Sequence, residues 1–175
     1  GICYRTLPGS MDVPGAAFFT RGSGHSEFAR YTESSEVYVR NLDRLGRKFD
    51  TLKSAVPAPE VSPAETPTRV GVIAYGTTHW AIEEARGELA AQHGVTFDYL
   101  RLRAFPFPQS VEDFIAAHDR VYVIEQNREG QMLGLIRTEV PAINDRLRSI
   151  RLYDGMPACA ANVVAAFAAQ ENEQR

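Results

Sequence analysis

Cysteine is scarce in this chain: two among 175 residues, Cys3 and Cys159, at no metal-binding spacing. So low a count excludes a disulfide framework and points to a reducing compartment, with the cytoplasm as the expected location. No run of about 18 apolar residues occurs, so no membrane span is expected. The first thirty or so residues also lack the apolar stretch of a signal peptide. Neither sign of charge dominates, with 19 basic against 22 acidic residues, a net charge of −3 and a pI near 5.8. That balance argues against a general binder of nucleic acid or membrane surfaces. The familiar catalytic signatures are missing as well. There is no G-x-G-x-x-G, no Gly-Lys-Ser/Thr closing a P-loop, and no G-x-S-x-G elbow. His25, His79, His93 and His118 are dispersed, with no acid or cysteine at ligand spacing, so no zinc site is expected.

What the chain does have is a rhythm of strands and helices. Arg69–Tyr75 reads as a strand, closed by Gly76-Thr77-Thr78 and followed by a helix from about His79 to Gln92 with Ala81, Ile82, Ala85 and Leu89 at helical spacing. Gly94 stands where a helix C-terminal glycine belongs. Thr96–Leu102 reads as a second strand. Pro106 and Pro108 then break the chain before a short helix over Val111–Ala117, and Arg120–Glu125 is a third strand. The polar loop Glu125–Gln131 follows, then a helical pattern at Met132, Leu133, Leu135 and Ile136. A fourth strand is expected over Ser149–Tyr153 and a last helix from about Pro157 to Gln170. Such alternation implies an α/β fold with a mainly parallel sheet and helices on both faces. Its ligands and partners are usually met at the carboxyl ends of the strands.

Upstream of Arg69 the composition changes. Residues 1–35 are rich in Gly and Pro with scattered aromatics, and read as an extended segment packing on a domain further upstream. The alternative is an N-terminal arm folding back on its own domain. Residues 36–56 form a helix with an apolar stripe of Val39, Leu42, Leu45, Phe49, Leu52 and Val56. Arg40, Arg44 and Lys48 share a basic face, read as solvated. Residues 57–68 carry four prolines and read as a semi-stiff linker, with the α/β domain over 69–170.

The candidate loops admit structural readings beside functional ones. Thr77 or Thr78 is expected to cap the helix that follows, and the alternative use of those N–H groups is an anion. Glu125 can satisfy N–H groups at the next helix, with Asn127 and Gly130 suited to the turn. Glu83 and Glu84 fall on the solvent face of their helix. Trp80 stands off the apolar face, as a lid or an interface residue. The last helix is apolar nearly all round, which favours a partner surface. No acid–base pair emerges.

Several stretches in order carry a family resemblance: Tyr4–Gly9, Thr20–His25, Tyr38–Phe49, Val72–Gly76, Leu100–Pro106 and Val121–Gln131. Together they resemble the C-terminal part of the alpha subunit of 2-oxoacid:ferredoxin oxidoreductases, close to the 2-oxoglutarate branch. The Val72–Glu125 part is also similar to the C-terminal domain of transketolase-type thiamine enzymes. The resemblance implies a three-layer α/β/α domain with a mostly parallel mixed sheet, including one antiparallel strand whose place the sequence does not mark. It implies a complex that oxidatively decarboxylates a 2-oxoacid with thiamine diphosphate. Electrons then pass through iron–sulfur clusters to ferredoxin, and acyl-CoA is formed from coenzyme A.

In such enzymes the domain before this one holds the pyrimidine of thiamine. A β subunit holds the diphosphate, magnesium and a cluster. The implied partners are therefore that upstream domain, the β subunit and ferredoxin, with no cofactor bound by this chain alone and no independent activity. No catalytic or metal-binding residue carries over. The loops Gly76–Thr78, Arg103–Pro106 and Glu125–Gln131 become interface elements, through Gly76, Thr77, Thr78, Arg103, Phe105, Pro106, Glu125, Asn127, Gly130 and Gln131. Two other readings stand beside this one: another thiamine enzyme of the transketolase or 2-oxoacid dehydrogenase type, or a free-standing α/β binding module.

Overall fold

The computed structural model describes residues 9–10, 12–16, 24–28 and 30–172. Much of the extended segment expected over 1–35 lies outside them, with Cys3, Phe18, Phe19 and the stretches Tyr4–Pro8 and Thr20–Ser23. The chain divides into two compact units, Gly1–Ala55 and Val56–Arg175.

The first unit is built on α1 (Ser35–Ala55). Ser34 starts it, accepting the Val37 N–H on its hydroxyl at 3.5 Å and the Tyr38 N–H on its carbonyl at 3.1 Å. Glu36 in the first turn and Lys53 in the last complement the helix dipole. A tight turn is tied to this helix. Its ends meet where His25 bridges Tyr31, and Asn41 of α1 donates to the His25 carbonyl.

The second unit holds a five-stranded sheet in the order β1-β3-β2-β4-β5. Its strands are β1 (Glu60–Ser62), β2 (Val70–Tyr75), β3 (Asp98–Leu102), β4 (Arg120–Glu125) and β5 (Leu147–Arg151). Strands β3, β2, β4 and β5 run parallel, and β1 pairs antiparallel with β3, Val61 opposite Leu100. The antiparallel strand thus sits inside the stretch read as a linker. Residues 60–62 do run extended, but as the edge of the sheet. Between the strands lie α2 (Thr78–Glu88), α3 (Gln109–Ala117) and α4 (Gln131–Glu139), and α5 (Ala160–Asn172) follows β5.

Alternation along the strands builds two cores. Val72, Ala74, Tyr99, Tyr122, Ile124 and Ile150 pack against α2 and α5. Ile73, Leu100, Val121, Val123 and Leu147 pack against α3 and α4 on the opposite face. The result is a three-layer α/β/α domain. Strands β2 and β4 are covered on both faces, which is why they read as nearly continuous apolar runs. Gly71 leaves the room that Phe114 of α3 and His118 just after it occupy on this face. A Cβ there would stand 2.9 Å from Phe114, 3.1 Å from Val121 and 3.2 Å from His118.

The helix read over His79–Gln92 differs from expectation. The α geometry of α2 stops at Glu88 and widens into a π turn over Leu89–His93, before Gly94 closes it at φ 64°. In α5 one side is buried through Val163, Val164 and Phe167, while Ala161, Ala165 and Ala169 face outward. Its all-round apolarity comes from alanines that the chain itself leaves exposed.

Candidate functional site

The chain leaves β2 for α2 on one face of the sheet and leaves β4 for α4 on the other, which opens a crevice at the carboxyl ends of these neighbouring strands. Gly76–Thr78 forms one wall and Glu125–Gln131 the other. Gly76 makes its turn at φ 60°. Neither threonine caps α2, contrary to expectation. Thr77 holds helical angles (φ −74°, ψ −17°) instead of the extended conformation in which a capping hydroxyl faces the first-turn N–H groups. Thr78 is buried, and its Oγ1 accepts from Gln126 Nε2 at 3.0 Å. The other end of that amide, Gln126 Oε1, accepts the Ala158 N–H at 3.2 Å. One side chain thereby joins the loops after β2, β4 and β5.

Glu125 points inward and is fully buried. Its Oε2 accepts from Asn127 Nδ2 at 2.6 Å and from the Met132 N–H at 2.8 Å, and its Oε1 accepts the Leu133 N–H at 3.2 Å. Asn127 Oδ1 takes the Gln131 N–H at 3.0 Å. Acid and amide together satisfy the first turn of α4, whose N-cap, Gly130, sits at φ 67°. Tyr75 closes the floor. Burial foremost, and then the Glu125 charge, raise its hydroxyl pKa above the ordinary value, against a hydrogen bond with Asn127 that lowers it.

The third loop lies one strand away. Exposed Arg103 pairs with Glu60 of β1 at 2.9 Å. Phe105 meets buried Phe107 edge-on at 5.2 Å, and Pro106 is buried after a cis peptide bond. Of the ten residues singled out in the sequence, seven line the crevice, while Arg103, Phe105 and Pro106 belong to its neighbour.

Sequence reasoning missed Tyr75 and Gln126. The first is hidden in an apolar strand, and the second lies within the polar run but is marked by no turn or cap signal. It also missed Tyr153 and Met156, although Leu152–Pro157 is another Gly- and Pro-bearing loop after a strand. These two side chains are 57% and 67% exposed, and Trp80 is 69% exposed. Trp80 lies two residues beyond Thr78 and Met156 two before Ala158, the two residues that the Gln126 amide ties together.

The crevice is organised around Glu125. Its buried carboxylate is engaged by three donors, and no group of three His, Cys, Asp or Glu side chains gathers for a metal among the described residues. Away from this edge, a groove of about 350 Å³ between the Pro63–Glu65 segment and α2 is bordered by Arg86. That guanidinium donates to the carbonyls of Ser62, Pro63 and Phe97.

No protein-family model matches the chain. Among curated proteins, subunit alpha of 2-oxoacid:ferredoxin oxidoreductase 2 from Aeropyrum pernix is 28% identical over 161 residues. That match takes in 90% of this chain and 24% of the relative, so the chain spans about a quarter of its relative's length. Among solved structures, 2-oxoglutarate:ferredoxin oxidoreductase from Magnetococcus marinus, with 2-oxoglutarate, coenzyme A and succinyl-CoA bound, superposes at a TM-score of 0.73 with 24% identity. The superposition covers 96% of this chain and 28% of that one. A split-gene transketolase, an inactive beta4 tetramer, covers 66% of this chain and 43% of its own at a TM-score of 0.48 and 16% identity. This chain is thus similar in sequence to part of the alpha subunit of a 2-oxoacid:ferredoxin oxidoreductase, and it shares the fold of about a quarter of the 2-oxoglutarate:ferredoxin oxidoreductase chain.

Proposed function

We propose that this chain is part of the alpha subunit of a 2-oxoacid:ferredoxin oxidoreductase acting on 2-oxoglutarate, and that it supports and docks within the complex instead of catalysing. The reading rests on sequence similarity to such an alpha subunit over 90% of the chain. The carboxyl-edge crevice agrees with it, since it presents contact surface in place of reactive groups.

Thiamine diphosphate with magnesium would supply the decarboxylation chemistry and an iron–sulfur cluster the path for electrons to ferredoxin. The described residues of this chain do not fit those groups. The α4 N-terminus is the kind of anion site a diphosphate would use, and Glu125 already occupies its N–H groups. We assign the pyrimidine ring to an upstream domain of the same subunit, and the diphosphate, magnesium and cluster to a β subunit.

The chain's own residues then have positioning roles. Glu125 and Asn127 hold the loop after β4, Gln126 ties three loops together, and Trp80, Tyr153 and Met156 offer the rim on which a partner settles. Aromatic and methionine side chains are typical anchors of such contacts.

The test is to isolate the native complex through this chain and assay 2-oxoacid-dependent reduction of ferredoxin in the presence of coenzyme A. Reduction driven by 2-oxoglutarate is expected. A complex that turns over no 2-oxoacid sinks the reading, and a preference for pyruvate removes only the substrate assignment. Replacing Asn127 and Gln131 with alanine should weaken assembly or turnover. Asn127 also supports the α4 cap, so Gln131→Ala alone, at an exposed side chain, separates docking from folding.

A further inference from the structure

The two edge strands of the sheet are finished differently. β1 is three residues long and set between Pro59 and Pro63. β5 runs for five residues without a proline, and among the described residues it pairs with β4 alone. In a parallel ladder the N–H and C=O of one residue point to the same side, and successive residues alternate. The Leu152 N–H donates to the Glu125 carbonyl at 2.9 Å, so Arg148 and Ile150 also face β4. Leu147, Ser149 and Arg151 therefore turn their main chain outward. Leu147 is closed locally: its N–H donates to the Asn144 carbonyl, and its own carbonyl accepts from Arg148 Nη1 at 3.1 Å. The outward N–H and C=O groups of Ser149 and Arg151 meet no partner among the described residues. Such a row is a template for another strand.

The side chains say what kind of strand. Arg148 and Arg151 lie three residues apart, hence on opposite faces of the sheet. Arg148 Nη1 donates to the carbonyls of Asp145 and Leu147, and Arg151 Nη1 to that of Arg128 at 2.7 Å. Carbonyls carry no charge, so both guanidiniums remain uncompensated and keep donors to spare. Among the described residues no ion pair engages either one. A second copy laid edge to edge would set these arginines against one another. Past Arg151 the edge opens onto a groove of about 420 Å³ bordered by Tyr153, Asn162 and Ala165, with room for a side chain of an incoming strand.

We infer that β5 takes an added strand: an extended segment of another polypeptide that sets glutamate or aspartate against Arg148 and Arg151. The inference rests on the open edge and is independent of the oxidoreductase reading.

The experiment titrates the full chain with short peptides of valine and threonine that carry two charged residues three positions apart, the spacing of the two arginines. One peptide bears glutamate, the other lysine. The acidic one should bind about fivefold tighter, as expected for exposed charge pairs, and its advantage should shrink at about 1 M salt. It should slow hydrogen exchange of the Ser149 and Arg151 amides about tenfold and leave Arg148 and Ile150, already bonded to β4, unchanged. The double variant R148E/R151E should reverse the preference. Ser149 Oγ has no hydrogen-bond partner, so Ser149→Pro removes only an outward N–H, at an edge where proline is tolerated. It should weaken the acidic peptide while the urea midpoint stays. Of two acidic peptides N-methylated at alternate positions, only the one whose methyl groups face away from the edge should still bind. Equal affinities for acid and lysine, no binding of either, equal binding of the two methylated peptides, or binding that leaves the Ser149 and Arg151 amides unprotected would overturn the inference. So would self-association of the full chain that Ser149→Pro abolishes, since the edge would then belong to a second copy.

Discussion

At the scale of single residues, Glu125 shows how a carboxylate can be consumed by architecture. It ends an apolar strand, turns inward and accepts from two backbone N–H groups and the Asn127 amide. Removing it leaves buried donors without partners, which costs about 1–3 kcal/mol for such a group. Glu125→Ala should therefore destabilise the second unit by about 3 kcal/mol, read as a lowered urea midpoint at unchanged slope. Glu125→Gln should cost about half as much, because a single amide oxygen replaces an acceptor pair serving three donors. A loss below about 0.5 kcal/mol for the alanine variant would show that water replaces the cap. Gly71→Ala tests packing instead. A methyl group 2.9 Å from the Phe114 ring forces α3 outward, at a cost of about 1–3 kcal/mol. That Glu125–Gln131 is a polar loop opening a helix was legible in the sequence. That Glu125 faces in while Gln126 bridges to Thr78, 48 residues away, was not.

At the scale of elements, the edge of the sheet is the instructive case. Four prolines made residues 57–68 read as a connector, yet β1 pairs with β3 in the short window between Pro59 and Pro63. Prolines on either side keep this edge strand short, which limits further pairing along it. The strand is anchored from outside. Arg86 of α2 donates to the Pro63 carbonyl at 2.7 Å and lies over the Phe97 ring at 5.5 Å, while Asp98 accepts the Ala64 N–H at 2.7 Å. Arg86→Ala should loosen β1 alone, raising hydrogen exchange of its amides about tenfold while β2 and β4 keep their protection. Equal loosening across all five strands would instead mark Arg86 as a core residue. Trp80→Ala belongs to this scale as well. Its side chain is largely exposed, so folding stability should change by less than about 0.5 kcal/mol. Its loss should weaken assembly of the complex by about 2 kcal/mol, as for an aromatic anchor. Unchanged assembly by analytical ultracentrifugation would remove Trp80 from the docking rim.

At the scale of the whole molecule, the two ends of the sheet have different tasks. The carboxyl edge carries the crevice and the exposed rim, and the amino edge locks the last helix in place. There Arg120 meets buried Glu171 of α5 through bonds of 2.8 and 2.6 Å, and Tyr122 donates to the same carboxylate at 2.6 Å. Burial and that carboxylate push the Tyr122 hydroxyl from 10.0 up to about 12, and burial also raises Tyr99. A raised pKa means that the folded chain binds the proton more tightly. Stability is then complete below the unfolded value near 10 and falls as pH rises through about 12. Thermal unfolding followed from pH 9 to about 12 should show that decline, and Tyr122→Phe should flatten part of it, leaving the share due to Tyr99. An unaltered slope in the variant would mean that Tyr122 is solvated.

The sequence by itself determined the alternation of strands and helices, the doubly covered central strands, and the loops that gather at the carboxyl edge. Each of these follows from local information: apolar period, glycine position, and prolines that stop a helix. The tertiary structure decided what joins residues far apart in the chain. It paired Val61 with Leu100 and turned Glu125 inward, closed the Thr78–Gln126–Ala158 tie, and set Arg120 on Glu171, 51 residues away. A polar side chain in a loop has many possible partners, and only the packed layers choose among them, because burying it unpaired costs more than the bond itself contributes.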